Sequence, residues 1–186
     1  MYRDESLKKY LDDLAAKLPA PGGGSAAAMN AALGVALISM VVNFTLGKPK
    51  YVQYESDLKA ILDKSEKLRE EFLNLVDLDV KAYQSKNLRD ALDIPLKVCR
   101  LCSEGILLCL PLVDKGNVNL ISDVGVAVVF LESAFASARF NVEINLKSLD
   151  VMGLANSIRE ELDQKEKSIK QIRQEAEVKI GKIIRG

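Results

Sequence analysis

A long stretch without a charged side chain, residues 25–47, limits what this chain can fold into. So many apolar residues must be buried, either in a protein core or in a lipid bilayer. Alanine outnumbers leucine in the stretch, and Asn30, Ser39 and Asn43 interrupt it. No basic cluster or aromatic belt, the usual flanks of a membrane-spanning helix, borders it. We therefore expect a buried core helix over residues 25–46, with a membrane-spanning helix as the alternative.

The segment before this stretch contains two prolines and three consecutive glycines, Gly22, Gly23 and Gly24. Prolines and glycines in this density form a turn. Ser25 follows, and serine is a preferred N-cap because its hydroxyl accepts from a backbone N–H of the first turn. A helix N-terminus carries unpaired N–H groups and a partial positive charge. The pattern predicts a glycine loop that leads into a helix, whose start suits an anion or a developing oxyanion.

The composition excludes several kinds of chemistry. The 186 residues suffice for one domain, 1–186, and 26 basic residues balance 26 acidic ones, so no nucleic-acid partner is expected. Histidine is absent, so acid–base catalysis must use a carboxylate, a lysine, a tyrosine or water. Three cysteines and no recognisable secretory signal fit a reduced cytosol. Cys99, Cys102 and Cys109 lack further ligands for a metal site and are expected in the core.

Helical periodicity continues through the rest of the chain. The predicted fold is all-α, a bundle of about six helices with the alanine-rich helix buried in the middle and a long helix at the C-terminus. The predicted helices cover residues 1–18, 25–46, 54–85, 96–115 and 123–149, and a final segment from residue 153. Pro95 is expected in the first turn of the fourth helix, where proline is tolerated. The last helix carries a near-heptad apolar stripe amid dense charge, which suits packing on a second subunit.

Two aspartates are the candidate acid–base groups. Asp79 occupies a position in the apolar stripe of the third helix, where a carboxylate needs a partner, a raised pKa or a wet cleft. Asp123 lies in the first turn of the fifth helix. Both have a simpler explanation: Asp79 is solvated where the stripe frays, and Asp123 complements the helix dipole. Asp123 and Asn141 share a helix face but lie about 27 Å apart, so they cannot both touch one small group in one subunit.

Motifs in a fixed order cover nearly the whole chain. The glycine loop precedes an alanine-rich helix that ends in MVVNFT at residues 40–45, and a GK pair with KY follows at residues 47–51. Further motifs are Asp79 with AY at 82–83, PL at 95–96, Asn117 and Asn119, SD at 122–123, and NV with INL at 141–146. Together they resemble the cyclodeaminase/cyclohydrolase family, which includes the C-terminal domain of formiminotransferase-cyclodeaminase and its free-standing relatives.

The resemblance implies an all-helical domain that forms a homodimer and binds folate in a cleft near the subunit interface. Members of this family act on reduced folate that carries a one-carbon unit between N5 and N10. Some close formiminotetrahydrofolate to the methenyl form and release ammonia, and others hydrate the methenyl form to 10-formyltetrahydrofolate. With the composition, this implies a cytoplasmic enzyme with no metal, no cofactor beyond the tetrahydrofolate substrate, and no membrane or nucleic-acid partner.

Within that resemblance, Asp79 and Asp123 are the catalytic candidates, because a carboxylate can stabilise the cationic methenyl carbon and accept a proton from attacking water. The candidates for substrate binding differ in the group that each would use. Backbone N–H groups would serve at Gly22, Gly23, Gly24 and Ser25, and side-chain amides at Asn43 and Asn119. The amino groups of Lys48 and Lys50 would contact the glutamate tail of the folate. Two alternatives stay open: Asp123 reads the N–H donors of the pterin without catalysing, and the asparagines cap helices or join them.

The absence of a formiminotransferase domain favours the cyclohydrolase reaction over the cyclodeaminase reaction. One feature departs from the family, which usually has a longer segment after the Asp-x-x-Ala-Tyr/Phe element. Residues 84–90 form only a short polar break here. If the longer segment is a lid, its loss favours the alternative function, a non-catalytic helical dimer that binds folate or a protein. A membrane-associated bundle is the third hypothesis.

Overall fold

The computed structural model describes residues 1–148 and 152–186, and within these ranges the chain forms seven α-helices and no strand. The helices are α1 (Leu7–Ala15), α2 (Gly23–Asn43), α3 (Glu55–Ser85), α4 (Leu88–Ile106), α5 (Cys109–Lys115), α6 (Ile121–Ser148) and α7 (Met152–Arg185). Short 3-10 helices cover Tyr2–Asp4, Pro49–Tyr54 and Val118–Leu120. The all-α prediction is confirmed. Leu149, the predicted end of the fifth helix, lies outside the described residues.

Helix α2 is the central helix, as the sequence predicts. It packs between α3 and α6, and twelve of its 21 residues are buried. Small side chains make this approach possible: a Cβ at Gly34 would lie 3.1 Å from the side chain of Leu131 on α6. Ser39 and Ser65 join α2 to α3 through a buried hydrogen bond of 2.8 Å between their hydroxyls. Such tight packing fixes the position of the α2 N-terminus, where the glycines lie.

Within residues 1–148 and 152–186, two helical segments are long and apolar enough to cross a membrane: α2 and Val118–Ser148. In α2, 61% of the most apolar window is buried inside the protein, and the core interpretation of residues 25–46 agrees with this. In Val118–Ser148 only 39% of the window is buried. The chain therefore leaves much of the apolar surface of α6 uncovered.

The N-terminal helix is shorter than predicted and buries less. Helix α1 begins after Ser6, whose side chain accepts a hydrogen bond from a first-turn backbone N–H, and covers nine residues instead of 1–18. Of its predicted apolar face, Tyr10 is fully packed, but Leu7, Leu11 and Leu18 are exposed. Leu14 is partly buried against the core. The periodic pattern predicted the helix correctly, but not that Leu7 and Leu11 would stay exposed.

The prediction that Pro95 lies in a first turn is wrong. Helix α4 begins at Leu88, because the side chain of Asn87 accepts from two backbone N–H groups of the first turn and caps it. Pro95 therefore lies inside α4. Only Lys86 and Asn87 separate α3 from α4, so most of the polar break at residues 84–90 is helical. The predicted helix over 96–115 divides at Leu107 and Leu108 into the end of α4 and the short α5, which gives seven helices instead of six.

Helix α7 packs on its own chain, against α4, α5 and α6. Its apolar stripe is buried there without a second subunit: Ile158, Leu162, Ile169, Ile172 and Ala176. Part of its charge forms ion pairs with neighbouring helices, as between Arg100 of α4 and Glu161, with an N–O distance of 2.7 Å. The three cysteines are buried, as predicted, and burial raises the pKa of the Cys99 and Cys109 thiols to about 12.

Candidate active site

Asp79 of α3 caps the N-terminus of α2. Its Oδ2 accepts a hydrogen bond of 2.8 Å from the backbone N–H of Ser25. The expectation that Ser25 is the N-cap is wrong, because α2 begins at Gly23 after Gly22, which has no side chain to cap it. Ser25 instead lies in the first turn, fully buried, with its Oγ 3.2 Å from the hydroxyl of Tyr10. A carboxylate from another helix thus satisfies one of the free N–H groups of α2.

The three glycines differ in how much they depend on having no side chain. A Cβ at Gly24 would lie 2.1 Å from Oδ1 of Asp79, a distance that no real Cβ tolerates. A Cβ at Gly23 would make ordinary contact with Asn141 at 3.6 Å, and one at Gly22 would meet nothing within 4 Å. Glycine at position 24 is therefore what lets the Asp79 carboxylate reach the helix start.

The environment of Asp79 changes the pKa of its carboxyl group. Burial raises the pKa of this carboxyl, and the hydrogen bond from the Ser25 N–H lowers it by less, so the pKa is raised overall. Burial opposes ionisation because it removes water from the charged form. A carboxylate in an apolar stripe needs a partner, a raised pKa or a wet cleft. Asp79 has a partner in the Ser25 N–H and a raised pKa. A carboxyl with a raised pKa is better matched to proton transfer near neutral pH than an ordinary one.

A cleft of about 260 Å³ opens beside Asp79. It is bounded by the glycine loop, the end of α3, the start of α4 and the C-terminal half of α6: Pro19, Ala20, Gly22, Gly23, Gly24, Asp79, Ala82, Tyr83, Ala91, Asn141, Ile144 and Asn145. Sites for drug-sized ligands commonly measure about 300 to 1,000 Å³. This cleft is therefore large enough for one fused-ring system, or for the reacting part of a larger ligand. The N–H groups of Gly23 and Gly24 have no partner among the described residues and are available to an oxygen atom in the cleft.

Asn141 and Asn145 complete the cleft, and neither was among the predicted site residues. The side-chain Nδ2 of Asn141 donates to the carbonyl of Ser137 at 3.0 Å, and that of Asn145 donates to the carbonyl of Ala91 at 2.5 Å. Because both NH2 groups bind backbone carbonyls, both amide oxygens remain available as acceptors. A spacing of four on one helix face was visible in the sequence. What the sequence does not reveal is that the glycine loop meets this end of α6.

The remaining predicted site residues lie at the opposite end of α2. Asn43, Lys48, Lys50 and Asn119 are exposed there, and Asp123 is half-buried in the first turn of α6. This end is held together by Asn117, which is buried and bonds the hydroxyl of Thr45 through its backbone N–H at 2.9 Å. Lys48 lines a second cavity of about 290 Å³, and the amino group of Lys50 lies 5.5 Å from the ring centre of Tyr51.

One chain therefore does not bring the two predicted catalytic aspartates together. Helix α2 has 21 residues and is about 30 Å long at 1.5 Å per residue. Asp79 lies at its start beside Asn141, and Asp123 lies 18 residues before Asn141 on α6, about 27 Å away along that helix. The structure groups Asp79 with Gly22, Gly23, Gly24 and Ser25, and it places Asp123 with the other predicted residues.

Comparison with known proteins agrees with the fold and with the arrangement of the motifs. The sequence model of the formiminotransferase-cyclodeaminase family matches residues 6–86 and 84–164. Methenyltetrahydrofolate cyclohydrolase from Methylorubrum extorquens is 41% identical, over 88% of this chain and 89% of its own length. Formimidoyltransferase-cyclodeaminase from Rattus norvegicus is 31% identical over 78% of this chain, which spans only 31% of that protein.

A crystal structure of formiminotetrahydrofolate cyclodeaminase from Thermotoga maritima superposes with a TM-score of 0.94 at 28% identity, over 99% of this chain and 100% of that one. The likeness thus extends over the whole bundle. The family model covers most of the chain, and a relative above 40% identity covers nearly all of it. The chain belongs to the formiminotransferase-cyclodeaminase family.

Proposed function

We propose that this protein is a tetrahydrofolate one-carbon enzyme that acts as a methenyltetrahydrofolate cyclohydrolase, converting the 5,10-methenyl form to 10-formyltetrahydrofolate. The observation that carries the proposal is the 41% identity to a methenyltetrahydrofolate cyclohydrolase over nearly the full length of both chains. The relatives named as cyclodeaminases are less similar, at 31% and 28% identity. Cyclodeamination of formiminotetrahydrofolate is the second candidate, since the solved relative of the same fold carries that name.

Asp79 is suited to the proton transfers that hydration requires. In its ionised form it stabilises the cationic methenyl carbon and accepts a proton from the water that attacks this carbon. A tetrahedral intermediate forms with a new C–O bond. The hydroxyl group of this intermediate then loses its proton to form C=O, the bond between the carbon and N5 breaks, N5 takes a proton, and the formyl group stays on N10. The N–H groups of Gly23 and Gly24 lie beside Asp79 and suit the oxygen on which negative charge develops.

The same residues serve the second candidate reaction. In cyclodeamination N10 attacks the formimino carbon, loses its proton, and ammonia leaves after the leaving nitrogen gains a proton. One group that alternates between acid and base is enough for both transfers. A carboxyl whose pKa is raised by burial is suited to this alternation, because its two protonation states differ less in free energy near neutral pH than those of an ordinary carboxyl.

We further propose that the protein works as a homodimer formed through an apolar surface on α2 and α6. This α2–α6 surface consists of exposed apolar side chains: Leu33 on α2, Phe44 directly after α2, and Val126, Val129, Phe140 and Ile144 on α6. The two stripes are neighbours, because Asn30 of α2 donates to the hydroxyl of Ser133 on α6 at 2.8 Å. A row of exposed apolar side chains over two neighbouring helices suits a second copy of the same surface.

A twofold axis across this surface, perpendicular to α2, would allow a shared active site. It would reverse one copy relative to the other, so that the Asp79 end of α2 meets the Asp123 end of the second copy. Asp79 of one copy would then lie near Asp123 of the other copy, although the two residues are about 27 Å apart within one chain. Asn43, Lys48, Lys50 and Asn119 would bind the outer part of the folate that the cleft of about 260 Å³ leaves uncovered.

The setting we propose is the cytoplasm, with the tetrahydrofolate substrate as the only small molecule needed and without a nucleic-acid or membrane partner. Three free, buried cysteines and balanced charge support this setting.

Separate incubation with methenyltetrahydrofolate and formiminotetrahydrofolate tests the proposed activity. Enzymatic formation of 10-formyltetrahydrofolate establishes the cyclohydrolase, and ammonia release from the formimino compound establishes the cyclodeaminase. Tight binding of both compounds without turnover would favour the non-catalytic dimer instead.

A further inference from the structure

Pro95 creates an unpaired carbonyl at the edge of the cleft. It lies inside α4 and is buried, and proline has no backbone N–H. The carbonyl that would accept this missing hydrogen bond belongs to Ala91, four residues earlier. Ala91 is half-buried and lines the cleft with Asp79. A backbone carbonyl in such a place needs a donor from elsewhere.

Asn145 supplies this donor and is oriented by doing so. Its Nδ2 lies 2.5 Å from the carbonyl oxygen of Ala91. A carbonyl oxygen only accepts, so the amide atom that faces it must be the NH2 group, and Oδ1 must point away from Ala91. No group among the described residues donates to this Oδ1, and Asn145 lines the cleft. The defect that Pro95 introduces thus determines which atom of Asn145 a ligand meets.

The neighbouring polar side chains offer the same type of atom. Asn141 also binds a backbone carbonyl through its Nδ2, and Asp79 offers Oδ1. Three side chains on two helices therefore present oxygen acceptors to one small cleft. A ligand that satisfies them must carry several N–H donors on one edge. The reduced pterin ring has such an edge, with its exocyclic amino group and ring N–H groups.

We propose that Asn145 orients the substrate by accepting a hydrogen bond from an N–H of the pterin through Oδ1, and that Pro95 locks the amide in the required orientation. This rests on the proposed function, because the ligand chemistry comes from it. The competing explanation is that Asn145 only joins α6 to α4. The two explanations differ in what they predict when Pro95 is replaced.

Pro95→Ala gives α4 the missing N–H, so the Ala91 carbonyl acquires a partner within its own helix and holds Asn145 less strongly. The variant should keep or raise the urea midpoint of unfolding, since alanine is far better tolerated than proline inside a helix. The Michaelis constant for methenyltetrahydrofolate should nevertheless rise about three- to tenfold, as expected for one weakened hydrogen bond, with a smaller change in kcat. A purely joining role predicts an unchanged Michaelis constant.

Asn145→Ala is made alone and in the Pro95→Ala background. Alone, it should lower the urea midpoint, because it leaves the Ala91 carbonyl unpaired, and should raise the Michaelis constant. With Pro95→Ala, the loss in midpoint should largely vanish, while the raised Michaelis constant remains. Asn156→Ala, on the exposed side of α7, is the matched control and should change neither quantity.

A Michaelis constant that stays unchanged in Pro95→Ala, or that recovers in the double variant, overturns the proposal. If the wild type binds methenyltetrahydrofolate without turnover, the proposed activity fails, and the dissociation constant from calorimetry replaces the Michaelis constant in the same comparison. If the wild type neither binds nor converts methenyltetrahydrofolate, the proposed activity and the proposed role of Asn145 in substrate binding are both wrong. The midpoints of the four proteins would then still reveal whether Pro95 and Asn145 are coupled.

Discussion

The carboxylate of Asp79 and the backbone N–H of Ser25 are joined by a hydrogen bond of 2.8 Å, although the residues lie 54 positions apart in the sequence. This bond gives one side chain two tasks. It caps the buried helix α2, and it holds a carboxyl with a raised pKa at the wall of the cleft. Stability and the proposed chemistry therefore meet at Asp79, and substitutions there can separate them.

Asp79→Asn keeps an oxygen that can accept from Ser25 but removes the titratable group. Because the pKa of Asp79 is raised by folding, the folded state binds its proton more tightly than the unfolded state. The contribution of Asp79 to the unfolding free energy should fall as the pH rises from the ordinary aspartate range through the raised pKa, and then level off. The variant should lack this decrease and be at least as stable as the wild type at pH 7.

Urea unfolding at a series of pH values from about 3.5 to 7.5 measures this difference, because this range extends from the ordinary aspartate pKa to well above it. Asp63→Asn, an exposed position on the same helix, is the matched control and should follow the wild type. A variant that loses stability relative to the wild type as the pH rises would contradict the raised pKa.

Gly24→Ala should displace Asp79, because the new Cβ would lie 2.1 Å from its Oδ1. We expect turnover to fall by at least about tenfold, since the carboxylate must move away from both the helix start and the reacting atoms. Overpacking of this kind also costs about 1 to 3 kcal/mol of stability. Gly153→Ala, where a Cβ meets nothing within 4 Å, is the control. Full activity in Gly24→Ala would mean that the position of Asp79 does not matter for the reaction.

Phe140→Glu tests the α2–α6 surface. Phe140 is 78% exposed in the single chain, so the substitution should cost the monomer little stability. Two buried glutamates facing an apolar surface should, however, prevent dimer formation. Sedimentation equilibrium should give a dimer for the wild type and a monomer for the variant. Val178→Glu, 52% exposed on α7, should remain dimeric. A variant that stays dimeric would place the interface elsewhere.

A mixing experiment tests whether two copies share one active site. Asp79→Ala and Asp123→Ala dimers should each be inactive, because every site lacks one carboxylate. After joint refolding, a mixed dimer would have one site that lacks both and one that is intact. Random assembly should therefore restore about a quarter of the wild-type activity. Recovery that never exceeds the sum of the two parents would show that Asp79 and Asp123 do not act together.

The sequence predicts the fold well because the strongest signals are local. The uncharged stretch at residues 25–47 and the regular apolar stripes determine where helices lie and which faces are buried. Capping is less predictable when it comes from elsewhere in the chain. Ser25 has the right chemistry and a nearly correct position for an N-cap, but the half-buried Asp79 occupies that role. Likewise, Pro95 suits a helix start, but Asn87 caps α4 further upstream and Asn145 of α6 pairs with the Ala91 carbonyl that Pro95 cannot serve.

The candidate site was predicted only in part, for a geometric reason. Asp79 and the glycines were identified because each breaks a local rule, a carboxylate in an apolar stripe and three glycines before a helix. Asn141 and Asn145 break no such rule, so their role depends on which end of α6 faces the glycine loop. Asp123 satisfies the same local criteria as Asp79, yet the antiparallel packing of α2 and α6 places it at the other end.

The decisive measurement is the decrease in absorbance of methenyltetrahydrofolate, at a pH where its spontaneous hydrolysis is slow, with wild-type protein and with Asp79→Asn at equal concentration. The wild type should accelerate the loss of the chromophore and form 10-formyltetrahydrofolate. Asp79→Asn should be slower by about a hundredfold to ten-thousandfold, the usual contribution of a general acid–base group. No acceleration by the wild type, or equal rates for the two proteins, would contradict the account.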